Sequence, residues 1–186
     1  MAWQPARKLF TTAEYHQLIE AGVLGEDDRV ELLNGEILEM SPIGPRHAAC
    51  VDRLNETLTL MLKGQAKVRV QNPVELGEFS EPEPDLTLLK PREDFYASGH
   101  PAPADILIAI EVADSTIEKD RNLKIPAYAA AGIPEIWLVD LLNDRIEIHS
   151  NPLNTIYQEV RIIQRGQKFT SPTLPKLKLK ADDILV

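Results

Sequence analysis

The sequence predicts an α/β protein, a mixed β-sheet with helices packed on its faces. Three observations carry that expectation. Ile106-Leu107-Ile108-Ala109-Ile110-Glu111-Val112 is a nearly unbroken apolar run, and Ile136-Trp137-Leu138-Val139-Asp140 is a second. Between them, Ser115-Thr116-Ile117-Glu118 has the pattern of a capping box that opens a helix. Short apolar runs of this kind read as strands buried on both faces, and such strands require covering helices. With 186 residues the chain has room for one sizeable core, and two complete domains would be cramped.

The elements follow in order. Thr11-Thr12-Ala13-Glu14 is a capping box with Phe10 and Tyr15 spaced as its staple. It opens a short helix carrying Leu18 and Ile19 and ending at Gly22. Val30–Leu33 reads as a strand, Asn34-Gly35 as a hairpin turn, and Glu36–Glu39 as the return. From about Pro45 to Lys63, Val51, Leu54, Leu58 and Met61 recur at helical spacing until Gly64. Val68, Val70, Val74 and Leu76 alternate as a half-buried strand. Pro82 and Pro84 fix an extended lead-in to Asp85-Leu86-Thr87-Leu88-Leu89, the next strand.

A proline-containing loop from Pro91 to Pro103 then leads into the apolar run that ends at Val112. The helix after Ser115 runs to about Ala131, with Gly132 behind it, and Pro126 imposes a kink or a restart. Asn143-Asp144 turns the chain into Arg145–Ile148, and Tyr157–Ile163 pairs with that strand. Lys176-Leu177-Lys178-Leu179-Lys180 alternates as an edge strand does. From Pro45 the order is therefore helix, strand, strand, strand, helix, strand. The reading is one domain over residues 1–186: a helix and hairpin (1–44), a core (45–140) and a β extension (141–186).

Composition narrows the function. The net charge of −9 and pI near 5.0 have the wrong sign for a protein that coats nucleic acid. Aromatic residues at 5% argue against a base-stacking platform. Cys50 is alone, so no intrachain disulfide or thiolate zinc cluster is possible, and it reads as a small apolar packing residue. No apolar run reaches the roughly 18–20 residues that span a bilayer, and no signal-type segment opens the chain. A cytoplasmic protein without a membrane partner is the expectation.

Two carboxylates stand out. Asp85 follows Pro84 at the start of a strand, and Glu111 ends the most hydrophobic strand in the chain. A carboxylate beside Ile110 and Val112 is costly unless it is paired, coordinates a metal or reaches solvent at the strand end. Asp120, Lys124 and Tyr128 are spaced i, i+4, i+8 and share one helical face. That stripe is either a surface pair or a polar face turned toward Glu111.

Pro84-Asp85 on one strand and an acid ending the next resemble the PD-(D/E)XK superfamily of metal-dependent nucleases. More specifically, the chain resembles the Uma-type family of putative restriction endonucleases. The likeness is carried by Glu31-Leu32-Leu33-Asn34-Gly35-Glu36-Ile37, Met40-Ser41-Pro42 and Pro84-Asp85. It continues through Glu111-Val112-Ala113-Asp114-Ser115-Thr116, Asp120-Arg121-Asn122-Leu123-Lys124 and the segment from Gly132 to Asp140.

The resemblance implies a restriction-endonuclease-like αβββαβ core and a DNA endonuclease. It implies that Asp85 and Glu111 ligate Mg²⁺ or Mn²⁺, with the Val112 carbonyl as a further ligand. Two positions beyond the acid stands Ala113 rather than the superfamily lysine, and in the Uma-type pattern Lys124 supplies the ammonium from the next helix. Glu31 is a candidate additional acid completing the coordination shell, and its other reading is a solvent-facing hairpin residue. His47, opening the long helix, is a candidate base or ligand, and Gln71 a candidate supporting partner. A homodimer is expected, with the tail after Gly166 as an arm toward the second subunit. The competing class is a non-catalytic binding or assembly module on the same fold, which the acidic pI and Ala113 favour.

Overall fold

The structure, a computed structural model, describes residues 7–25, 27–114 and 117–186. Helix α1 (Thr12–Glu20) opens as the sequence predicts, because Thr11 Oγ1 accepts the Glu14 N–H at 3.1 Å and Glu14 Oε2 accepts the Thr11 N–H at 2.9 Å. Strands β1 (Val30–Leu33) and β2 (Glu36–Glu39) form a hairpin. Its turn is Asn34-Gly35, with φ of 51° and 79°, the left-handed pair that a tight hairpin demands. The hairpin stands outside the main sheet and is tied to the chain before β4 by a backbone bridge from Glu81 N–H to Leu32 O, 2.8 Å.

Helix α2 (Pro45–Leu62) starts on a proline, whose missing N–H costs nothing in a first turn, and ends where Lys63 turns left-handed. Leu54 and Leu58 on its inner face are fully buried, worth ~2 kcal/mol each in removed apolar surface. Leu62 rather than Met61 completes that stripe, and Met61 is 40% exposed. From Leu58 a step of four residues returns closer to the buried line than a step of three.

Six strands form the main sheet in chain order: β3 (Lys67–Val70), β4 (Leu86–Leu89), β5 (Ile106–Ala113), β6 (Glu135–Asp140), β7 (Arg145–Leu153) and β8 (Ile156–Gln164). Among the described residues, only β5 and β6 run parallel, joined by the helical crossover that a parallel pair requires. β3 is shorter than the alternation suggests. Gln71 adopts φ 48° and gives its N–H to Asp85 O, so Val74 and Leu76 lie beyond the strand and pack elsewhere. This early stop leaves room for the cleft described below.

The crossover begins as α3 (Ile117–Lys119), widens into a π turn over Asp120–Lys124 and resumes as α4 (Ile125–Ala130). Ile125 N–H bonds to Asp120 O, five residues back. Pro126 has no N–H to give, and the widened turn immediately before it absorbs that missing bond. The predicted restart thus takes a specific form. Ser115 and Thr116 of the predicted capping box lie outside the described residues.

Two apolar layers sandwich the sheet. Leu86, Leu88, Ile108 and Ile110 face α2, while Ala109, Ala113, Ile136 and Leu138 belong to the cluster that holds α4. Trp137 is fully buried, edge-on to Phe169 at 5.3 Å. β9 (Lys168–Thr170) and β10 (Lys178–Lys180) pair antiparallel, with Leu179 opposite Phe169. Leu177, Leu179, Ile184 and Leu185 are buried against α2, and Arg53 donates to Leu185 O at 2.6 Å. The segment after Gly166 is therefore no arm toward a partner. Its alternating leucines find their apolar surface on the same chain. Among the described residues, no helix is long and apolar enough to cross a membrane.

Candidate active site

β4 begins at Leu86, opposite Ile110, so β5 runs past the end of its neighbour. Val112 N–H then faces no strand. The Asp85 carboxylate takes the place of a strand partner: Oδ2 accepts that N–H at 2.8 Å. The same oxygen accepts from His47 Nε2 at 3.0 Å, and Oδ1 accepts from Gln71 Nε2 at 3.4 Å. α2 supplies His47 from its first turn, and the left-handed Gln71 follows β3. Three separate elements thereby fix one carboxylate.

Glu111 projects from β5 toward the crossover and is 2% exposed. Tyr128 OH donates to its Oε1 at 2.6 Å, and Lys124 Nζ stands 3.2 Å from both of its oxygens. Lys124 also meets Glu31 Oε2 at 3.1 Å, so one buried ammonium bridges two buried carboxylates. Glu31 comes from the hairpin. Its other oxygen pairs with Lys119 Nζ at 3.0 Å, and its Oε2 accepts the Glu83 N–H at 3.2 Å.

Burial and ion pairing compete over the charge states. It pushes the Glu111 carboxyl up to about 8, with Asp120, Asp85 and Glu31 adding to the effect against Lys124. Burial would strip Lys124 of its proton, but Glu111 and Glu31 outweigh it and hold the ammonium charged far above its usual range. Burial also raises Glu31, and Lys124 and Lys119 reverse the sign, leaving it below the ordinary carboxylate value. His47 is raised by its bond to Asp85. Glu83 is raised by burial, with Glu31 and Asp85 contributing.

These groups share a cleft of about 170 Å³, open to solvent. That is smaller than the ~300–1,000 Å³ of a small-molecule pocket and suits an ion, a few waters and one protruding phosphate. Among the described residues, six carboxylates line it against three Lys or Arg side chains.

Every residue singled out from the sequence lies at this one place. Glu31, His47, Gln71, Asp85, Glu111, Val112, Asp120 and Lys124 line the cleft, and Tyr128 backs it through Glu111. The π turn brings Asp120 and Lys124 inward, each 5% exposed, so the helical stripe is not a surface pair. Glu31 faces inward too, but both of its oxygens are committed to lysines. Two contributors went unread in the sequence. Lys119 holds Glu31, and Glu83 stands on the cleft wall two residues before Asp85. In the extended Glu81-Pro82-Glu83-Pro84-Asp85 segment, the i, i+2 spacing of Glu83 and Asp85 was the available signal.

A model of the Uma2 family, described as putative restriction endonuclease, matches residues 12–182. The chain belongs to the Uma2 family. No curated protein matches it significantly. Among solved structures, a putative nuclease of the DUF820 family from Anabaena variabilis superposes with a TM-score of 0.71 at 18% identity, covering 94% of this chain and 97% of that one. The Uma2 chain therefore has the fold of that protein.

The cleft of this Uma2 chain carries a pH signature. Glu111, Glu83 and His47 all have folded-state affinities for protons above their unfolded values. Groups raised on folding stabilise most below their unfolded pKa and lose that contribution as pH climbs through the folded one. Stability is expected to fall from the ordinary Glu value of 4.5 toward about 8, the Glu111 range. Thermal unfolding across that window measures it. Glu111→Gln should flatten the slope, and an unchanged slope would remove Glu111 as its source.

Proposed function

We propose that this Uma2 chain is a DNA endonuclease that hydrolyses phosphodiester bonds with a bound divalent cation, Mg²⁺ or Mn²⁺. The observation that carries the reading is the Asp85 carboxylate seated on Val112 N–H, beside Glu111, with the Lys124 ammonium against Glu111. The donor set fits such an ion. Asp85 and Glu111 offer hard oxygens, and the N–H and C=O of one strand residue point to the same edge, so the Val112 carbonyl also faces Asp85. Among the described residues, no three His, Cys, Asp or Glu side chains form a ready metal cage. Magnesium does not require one, because it typically uses one or two carboxylates, several waters and the substrate phosphate. The excess of carboxylates over lysines and arginines in the lining makes the cleft receptive to positive charge.

When bound, the ion polarises the scissile phosphate and lowers the pKa of a coordinated water. The chain's own residues do the rest. His47 and Val112 N–H lock the orientation of Asp85, and Tyr128 OH locks Glu111. Lys124 is held charged by two carboxylates, so it is no proton acceptor. It presents a fixed ammonium to the negative charge that develops on the phosphate. Glu31 acts by positioning Lys124.

The net charge of −9, the wrong sign for phosphate contact, favours a second reading, a non-catalytic binding or assembly module. Supercoiled plasmid separates the two. The endonuclease nicks or linearises it with Mg²⁺ or Mn²⁺ and leaves it intact in chelator. Equal background cleavage by the wild-type and Glu111→Ala proteins returns the second reading.

A further inference from the structure

The two edges of the main sheet are built differently. β3 has four residues, carries Lys67 and Arg69, and is cut short by the left-handed Gln71. Short, positively charged edges resist pairing with other chains. β8 has nine residues, contains no proline and, on the side away from β7, pairs with no strand among the described residues. Gln158, Glu159, Val160, Arg161 and Ile162 are all exposed along it. Val160 and Ile162 are about half exposed, at 51% and 52%, and Ile156 reaches 58%.

Which backbone groups face the open side follows from the ladder of the sheet. Leu141 N–H bonds to Ala113 O, so Asp140 turns its backbone toward Arg145, and Ile146, Ile148 and Ser150 turn theirs toward Ile163, Arg161 and Glu159 of β8. Alternation then directs the N–H and C=O of Val160, Ile162 and Gln164 outward, and the Gln164 N–H is accepted by Gln167 Oε1 at 2.8 Å rather than by β7. A second copy pairing antiparallel must match these residues with one another. If Glu159 met its own counterpart, two carboxylates would face each other. If Arg161 met its own, two guanidinium groups would. With Val160 on the two-fold axis, Glu159 lies opposite the partner's Arg161, twice over. Cross-strand pairs of opposite charge stabilise and like pairs destabilise.

We infer that β8 is a self-pairing edge: two copies of this chain join antiparallel through it, centred on Val160, into one continuous twelve-stranded sheet. The occupant is a second copy because the strand is complementary to itself in charge and in backbone pattern. Symmetric two-fold contacts of this type are isologous. The inference stands independently of the proposed reaction, since none of these residues lies in the cleft.

Light scattering on the full chain is expected to give twice the 20.8 kDa monomer mass. Glu159→Arg alone and Arg161→Glu alone should each give monomers, and the double swap Glu159→Arg/Arg161→Glu should restore the dimer. Both positions are exposed, so folding is preserved, and circular dichroism checks it. In the same register Val160 forms a hydrogen-bonded pair with itself at a Cα separation of ~5.5 Å, inside the ~4.4–6.8 Å range of a disulfide. Oxidised Val160→Cys protein should therefore run as a covalent dimer. Gln158→Cys should not, because its two copies lie four residues out of register, ~13 Å apart. Cys50 is buried, with its thiol pushed up to about 12, and does not compete. A monomeric wild type, a dimer indifferent to single charge reversal, or a double swap that stays monomeric overturns the inference.

Discussion

Asp85→Asn protein is expected to lose Mg²⁺-dependent cleavage by about 10³-fold or more, the equivalent of ~4 kcal/mol of transition-state stabilisation. Asparagine keeps the size of the side chain and one oxygen that can accept the Val112 N–H, now 2.8 Å from Asp85 Oδ2. What it lacks is the negative charge that a divalent cation requires. The fold should remain intact by circular dichroism, while calorimetric titration shows Mg²⁺ affinity weakened or gone. Alanine is a poorer test, because it also leaves the buried Val112 N–H without a partner, at ~1–3 kcal/mol. Full cleavage by the asparagine variant would take Asp85 out of the chemistry.

Lys124→Met should damage stability as well as activity. The side chain is 5% exposed and stands 3.1 Å from Glu31 and 3.2 Å from Glu111. Removing one member of a buried ion pair typically costs ~3–5 kcal/mol, because the surviving charge has no solvent and no partner. Here Glu31 keeps Lys119 and Glu111 keeps the Tyr128 hydroxyl, so the cost falls toward the lower end of that range. Denaturant unfolding at neutral pH reads the loss, which should shrink in acid as Glu31 takes up its proton. Adding Glu31→Gln to Lys124→Met should recover part of it, since the two sites are in contact and not additive. A Lys124→Met protein as stable as wild type at pH 7 would contradict the bridging role.

The sheet order and the two acids were legible because each rests on a local signal. Ile106–Val112 and Ile136–Asp140 are apolar without interruption, and a carboxylate in such company has few places to go. The end of β3 was not legible. Val68, Val70, Val74 and Leu76 keep the alternation of a strand, while the break at Gln71 is set by a distant bond to Asp85 O. Glu31 illustrates the same limit. Strand alternation leaves it facing in or out with equal ease, and only Lys119 and Lys124, some ninety residues later, decide the matter. Lys119 itself looks like any surface lysine until the hairpin meets it. Position 113 has a simpler account: Ala113 is fully buried in the layer around α4, where a lysine would have no room, and the crossover delivers the ammonium from Lys124.

The hairpin's place outside the main sheet bears on the order of assembly. Its inward carboxylate has no counter-ion until the crossover has been synthesised, so a ribosome-bound chain that stops short of Lys119 would strand Glu31 if the hairpin closed. Contacts so far apart in sequence form late, after the entropy of the intervening loop has been overcome. The cleft is thus expected to be among the last parts of the molecule to mature. A nascent chain would carry a sheet on which Lys124 and Glu31 have yet to meet, and the arrangement read above as a reaction centre would be complete only when the hairpin docks.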